Sequence, residues 1–129
     1  MIVVDASVLI SVLVGHGPLA DEAARTITAH VLHAPELIDL EVTSAARRLV
    51  TGGAIDNQRA LGMLTDLEEL PLRRARHTPL LGRVWELRGN LTAYDAAYVA
   101  LAEALRCPLA TGDRRLAHAP GPRCEFVVL

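Results

Sequence analysis

The sequence contains no lysine; all 13 of its basic side chains are arginine. That absence removes Schiff-base chemistry and the Gly-Lys-Ser/Thr step of phosphate-binding nucleotide hydrolases. Aromatic residues are also scarce, only Trp85, Tyr94, Tyr98 and Phe126, so no base-stacking platform is expected. Two cysteines, Cys107 and Cys124, lie outside any Cys-x-x-Cys spacing. This excludes a zinc ribbon and a disulfide framework and reads as a pair of reduced thiols. They become neighbours only if the strands that follow them are adjacent. The five histidines form neither an HxxxH nor an HExxH pair, so none is a candidate ligand. The apolar stretch from Met1 to Val14 has no basic lead and contains Asp5, which excludes a signal peptide. No uncharged run reaches the roughly 18 residues that span a bilayer. A cytoplasmic protein without a membrane segment is expected.

What is present is aliphatic. Hydrophobic residues make up 51% of 129, charged residues 22%, which excludes a disordered chain. The length is below about 150, so a single domain over residues 1–129 is expected, with a core of Leu, Val and Ala. A formal charge of −2 argues against a protein that coats nucleic acid through a basic surface.

Hydrophobic patterning alternates short apolar runs with helical segments. Ile2-Val3-Val4 reads as a strand buried on both faces. Helices are predicted over Ser7–Leu13, Pro18–Leu32, Leu37–Val50, Asp56–Leu67, Thr78–Arg88 and Thr92–Arg106, with Asp56 and Thr92 as N-caps. His33-Ala34-Pro35, Leu70-Pro71-Leu72, Pro108–Thr111 and Glu125–Leu129 read as further strands, and Gly112-Asp113 as a turn. Strands separated by helices imply an α/β fold with a central parallel sheet, because parallel neighbours need crossover connections. Trp85, at helical spacing from Leu81 and Arg88, is expected in the core.

Four acids stand where acids are unusual. Asp5 ends the first strand, where open α/β sheets place their ligand crevices, although it also suits a helix N-cap. Glu41 is one helical turn from Leu37 and Ala45, on or beside an apolar stripe, where a lone carboxylate is costly. Asp95 lies in the first turn of a very apolar helix, in the capping-box position after Thr92. Asp113 follows the short strand ending at Thr111. Asp39, by contrast, reads as surface. Like charges about 4 Å apart repel by about 4 kcal/mol at an effective dielectric near 20. A few such pairs approach the whole stability of a domain, about 5 to 15 kcal/mol. If the four converge, they must take up protons or bind a cation, and an all-oxygen set selects Mg²⁺ or Mn²⁺.

The segments Met1–Leu9, Ala34-Pro35 with Glu41-Val42, Leu91–Ala102 and Thr111–Leu116 together resemble the PIN-domain nucleases, in particular the VapC toxins of bacterial type II toxin–antitoxin modules. The resemblance covers the whole chain. It implies a three-layer α/β/α fold and a metal-dependent endoribonuclease. Asp5, Glu41, Asp95 and Asp113 would be its catalytic residues and Mg²⁺ or Mn²⁺ ligands, and its products a 5′-phosphate and a 3′-hydroxyl. Ser7, Thr92 and Thr111 match family hydroxyl positions beside the acids and would orient the carboxylates or a water, although caps and turns account for them equally well. Arg114 and Arg115, directly after Asp113, are candidates to hold an RNA phosphate. Arg73, Arg74, Arg76, Arg47 and Arg48 are further ones.

The resemblance also implies a cognate VapB-type antitoxin, a transfer or ribosomal RNA substrate, and a homodimer. A PIN-fold housekeeping nuclease and a non-catalytic PIN-type binding module are the alternatives. A receiver domain would need a lysine after its later threonine-bearing strand, and a haloacid-dehalogenase-like phosphatase would need Asp-x-Asp where Ser7 stands.

Overall fold

The computed structural model describes residues 1–129. Five short strands, β1 (Ile2–Val4), β2 (Leu32–Pro35), β3 (Leu72–Ala75), β4 (Leu109–Thr111) and β5 (Phe126–Val128), form one sheet. Their order is β3-β2-β1-β4-β5, and every neighbouring pair is parallel. Helices therefore fill the connections. α1 (Ala6–Val14) and α2 (Pro18–Ala29) join β1 to β2, and α3 (Ile38–Thr51) and α4 (Asn57–Glu69) join β2 to β3. A 3₁₀ turn over Thr78–Leu80, α5 (Leu81–Glu86) and α6 (Ala93–Leu105) lead to β4, and α7 (Arg114–Ala117) leads to β5.

The first two crossovers step outward from β1, and the third runs back past β2 and β1 to β4. Because such crossovers are right-handed, the reversal places α1–α4 and α5–α6 on opposite faces. The packing agrees: α6 lies on β1, β2 and β4, while α1 packs with α2, α3 and α4. The result is a three-layer α/β/α sandwich. Its winding reverses between β1 and β4, which is where such a sheet opens a crevice beyond its strand ends.

The local sequence accounts for the elements. Ile2, Val3 and Val4 are at most 1% exposed, as a central strand covered on both faces requires. α1 stops at Gly15, whose φ of 80° lies in the left-handed region, where glycine carries no Cβ penalty. Arg59 then reaches from α4 to the open carbonyls of Leu13 and Val14 at 2.8 and 3.1 Å. In α6 every residue from Ala96 to Ala102 is buried, so small side chains let this helix sit close on the sheet.

Several expectations need correction. α2 ends at Ala29, not Leu32; Leu32 pairs in register with Ile2 and Leu72. The third strand is Leu72–Ala75 rather than 70–72, and the helix expected over Thr78–Arg88 divides into a 3₁₀ turn and α5. Trp85 is 67% exposed, with the Arg88 guanidinium stacked 4.4 Å from its ring centroid. Helical spacing from Leu81 misled because Leu81 is itself exposed. The segment after Gly112 forms α7, with Asp113 as its N-cap.

One polar cluster secures the α5–α6 layer. The Arg83 guanidinium donates to both Glu103 oxygens, at 2.7 and 3.1 Å, and to the Gly121 carbonyl at 2.9 Å. The Arg123 N–H also donates to Glu103, at 2.8 Å. Burial pushes the Glu103 carboxyl up, but the Arg83 and Arg123 hydrogen bonds outweigh it and hold the group below its ordinary range. Stability from this group is present above the ordinary carboxylate value and is lost as pH falls through the lowered one. Arg83→Met is expected to cost about 2 kcal/mol, leaving Glu103 half-buried without its cation. In thermal unfolding the deficit should be full at neutral pH and shrink as Glu103 protonates.

Candidate active site

Asp5 is the N-cap of α1 and sits at the carboxyl end of β1, only 7% exposed. Its Oδ1 accepts from the Ser7 hydroxyl at 2.5 Å and from the Val8 N–H at 3.2 Å. Its Oδ2 accepts from the Thr111 hydroxyl. Both hydroxyls have a second role. Ser7 Oγ accepts from the Gly112 N–H at 2.9 Å, and Thr111 Oγ1 accepts from the Asp113 N–H at 2.9 Å. With a backbone amide on its lone pair, each hydroxyl turns its proton toward Asp5. The β4 end is thus wired to the β1 end across the reversal point. Gly112 eases the approach, since a Cβ there would lie 3.2 Å from Ser7 Oγ and crowd it.

The other acids arrive on different elements. Glu41, in the first turn of α3, accepts at Oε1 from the Tyr98 hydroxyl of α6 at 2.8 Å. Asp95 lies in the first turn of α6, whose N-cap Thr92 accepts from the Asp95 N–H at 3.2 Å. The positive end of that helix favours a carboxylate there. Asp113 caps α7 through Oδ1, which accepts from the Arg115 and Leu116 N–H groups at 2.8 and 3.4 Å.

Electrostatics ties these acids together. Burial raises the Asp5 carboxyl, and the hydrogen bonds from Ser7, Thr111 and Val8 offset only part of that rise. Burial also raises Glu41; the Tyr98 hydrogen bond opposes it, while the charges of Asp95 and Asp5 add to it. Asp95 is raised by burial and by the charges of Asp113 and Asp5, with Thr92 and Arg115 opposing. The Tyr98 phenol is held far above its ordinary value, mainly by burial and by its bond to Glu41.

As the side chains stand, no three His, Cys, Asp or Glu residues are grouped as a ready metal cage. The carboxylates of Asp5, Glu41 and Asp113 are each held by their own hydrogen bonds, and Asp95 is placed by its backbone N–H on Thr92. That arrangement still fits a hard divalent ion, because Mg²⁺ is commonly bound through one or two carboxylates and keeps several waters. The donors are all oxygen, and their shared unfavourable charge is what a cation relieves.

Tyr98 was not singled out from the sequence. Its position three residues after Asp95, on the same helix face, was the available signal. Arg114 and Arg115 are exposed beside Asp113, the Arg115 side chain at 97%. Arg74 is engaged elsewhere, bridging to Asp39 at 2.7 Å, so Asp39 is a paired rather than a freely solvated acid.

A carboxyl with a higher pKa folded than unfolded favours the fold while protonated and opposes it once ionised. In chelator, the melting temperature of the wild type is expected to rise as pH falls from the raised Asp5 pKa toward the ordinary carboxylate range, and Asp5→Asn, which cannot ionise, is expected to lose part of that rise. A variant that keeps the full pH dependence would contradict the reading of Asp5 as a strained acid.

Comparison with known proteins agrees with this architecture. The family model described as "PIN domain" matches residues 2–122. Ribonuclease VapC9 of Mycobacterium tuberculosis is 43% identical over 132 residues, covering 100% of this chain and 98% of the relative. Ribonuclease VapC1 of the same species is 44% identical over 125 residues, covering 96% and 94%. Among solved structures, a chain of a toxin–antitoxin complex from Klebsiella pneumoniae superposes with a TM-score of 0.70 at 21% identity, covering 99% of this chain and 97% of that one. That last likeness is one of fold. A family model over nearly the whole chain and full-length matches at this identity show that it belongs to the PIN-domain family, among its VapC ribonucleases.

Proposed function

We propose that the chain is the endoribonuclease toxin of a type II toxin–antitoxin module and that it hydrolyses RNA phosphodiester bonds in the crevice of Asp5, Glu41, Asp95 and Asp113. The observation that carries the reading is that Asp5, Glu41 and Asp95 are all raised, by burial and, for Glu41 and Asp95, also by the charges of neighbouring acids of the set. Residues kept for structure alone have no reason to accept that cost.

Asp5, Glu41, Asp95 and Asp113 would hold Mg²⁺ or Mn²⁺. When bound, the ion supplies an acidified water and neutralises charge on the phosphate. The chain's own residues do the positioning. Ser7 and Thr111 lock the Asp5 carboxylate in one orientation. Tyr98 occupies Glu41 Oε1, which leaves Oε2 for the site. Asp113 caps α7 through Oδ1, which leaves Oδ2. Thr92 fixes the start of α6 and so the place of Asp95. Arg114 and Arg115 hold RNA phosphates flanking the cut, as guanidinium groups suit phosphate oxygens. The products are a 5′-phosphate and a 3′-hydroxyl, and the substrate is transfer or ribosomal RNA.

A VapB-type antitoxin covers the acidic crevice, placing a basic side chain among the carboxylates. The similarity to a chain from a toxin–antitoxin complex supports this partner. On this reading the toxin works as a homodimer in the cytoplasm. Separately, no helix of the chain is long and apolar enough to cross a membrane.

Purified protein freed of antitoxin should cleave transfer or ribosomal RNA with Mg²⁺ or Mn²⁺ and stop in chelator. Asp5→Asn and Asp95→Asn should each lower the rate by about 100-fold or more while circular dichroism stays unchanged. Full activity in either variant would refute the site. Tyr98→Phe should act differently, raising the metal concentration for half-maximal rate by about tenfold with little change at saturating metal, because it releases Glu41 without removing it. Titration of the cleavage rate with Mn²⁺ separates the two behaviours.

A further inference from the structure

Cys107 and Cys124 take no part in the chemistry above. They lie at the opposite end of the sheet, just before β4 and β5. The register of those strands pairs Leu109 with Phe126, Ala110 with Val127 and Thr111 with Val128. Carried back by two residues, it sets Cys107 beside Cys124. The pairing does extend in that direction, since the Leu109 N–H donates to the Glu125 carbonyl at 2.9 Å. Parallel neighbours are about 4.8 Å apart and turn corresponding side chains to the same face. Disulfides need Cα atoms about 4.4 to 6.8 Å apart. Both thiols are free, and both line one hollow of about 550 Å³, together with Ala102, Glu103, Pro108 and Glu125.

Zinc is a poor fit, because a structural site takes four protein ligands. Only two thiols face this hollow, and Glu103 is committed to Arg83 and the Arg123 N–H. Two arginines, Arg106 and Arg123, and two glutamates line it, so it has no strong charge preference. The groups present suit a small neutral disulfide.

We propose that Cys107 and Cys124 form a thiol–disulfide exchange pair that clasps the start of β5 to the start of β4. Cys124, the more accessible of the two, attacks one sulfur of a small-molecule disulfide as its thiolate, forming a mixed disulfide and expelling one small thiolate. The Cys107 thiolate then attacks the Cys124 sulfur and expels the second. Two protein hydrogens leave as protons, the small disulfide is reduced to two thiols, and one intramolecular S–S bond forms. The clasp closes the segment that contains Thr111, Asp113 and α7, so it constrains the β4 side of the crevice from behind.

Burial raises both thiols, Cys124 to about 11. The exchange therefore runs slowly at neutral pH and accelerates well beyond the pH at which an ordinary thiol levels off.

The test uses the full chain incubated with hydroxyethyl disulfide, followed by alkylation and intact mass measurement. The clasp requires a monomer lighter by two hydrogens, with neither thiol alkylated and full reversal by dithiothreitol. Its melting temperature should exceed that of the reduced protein by roughly 5 to 10 °C. Cys107→Ser should instead stop at one hydroxyethylthio group on Cys124. Should that variant fail to fold, peptide mapping of the wild type quenched early must show the same adduct on Cys124. A wild type that keeps a stable adduct, links to a second copy, or retains both free thiols while the denatured chain reacts would overturn the pairing.

Discussion

The arrangement on which the rest depends is the crowding of carboxyl groups at one end of the sheet, where the only basic side chain close to them is the almost fully exposed Arg115. Asp5 is almost fully enclosed and holds hydrogen bonds on both oxygens, yet burial still keeps its proton affinity high. Glu41 and Asp95 feel it, and Asp95 feels Asp113 as well. Repulsion of this sort persists where the surrounding structure over-determines the positions. Here the over-determination is visible in the two hydroxyls that join the ends of β1 and β4.

The opposite end of the sheet shows the contrary use of charge. Arg83 and Glu103 are also partly buried, but each is the other's partner, and the carboxyl is held down rather than pushed up. The α6 helix links the two regimes. Its first turn presents Asp95 to the crevice, its middle supplies Tyr98 to Glu41, and its last turns supply Glu103 to Arg83. One rigid, alanine-rich helix thereby spaces a strained acid and a satisfied one along the same axis.

Much of this was legible beforehand. The continuous apolar run at Ile2–Val4, the capped helices and the order of strands and helices implied a parallel α/β sheet. The positions of Asp5 and Asp113 after strands, and of Asp95 after a capping threonine, marked three of the acids. The failures were of three kinds. Helical periodicity in the Leu81–Arg88 stretch is real, but periodicity does not tell which face is covered, and Trp85 lies on the open one. The end of α2 was missed because Leu32 is apolar enough for either helix or strand, and pairing with Ile2 and Leu72 decides for strand. Tyr98 went unnoticed because an aromatic in an apolar helix looks like core, and core is where most of it lies.

By itself, the order of residues determined most of the alternation of strands and helices and the caps at Asp56 and Thr92, and it offered carboxylates rather than thiols or imidazoles as the candidate ligands. Those are properties of neighbours in the chain: propensity, capping and spacing act over a few residues. Only the tertiary structure decided that Glu41 reaches Tyr98 across 57 positions, that Thr111 reaches Asp5 across 106, and that two distant cysteines share a hollow. The physical reason is the reversal of winding between β1 and β4. It is set by how both faces of the sheet are covered at once, and no local window contains that information.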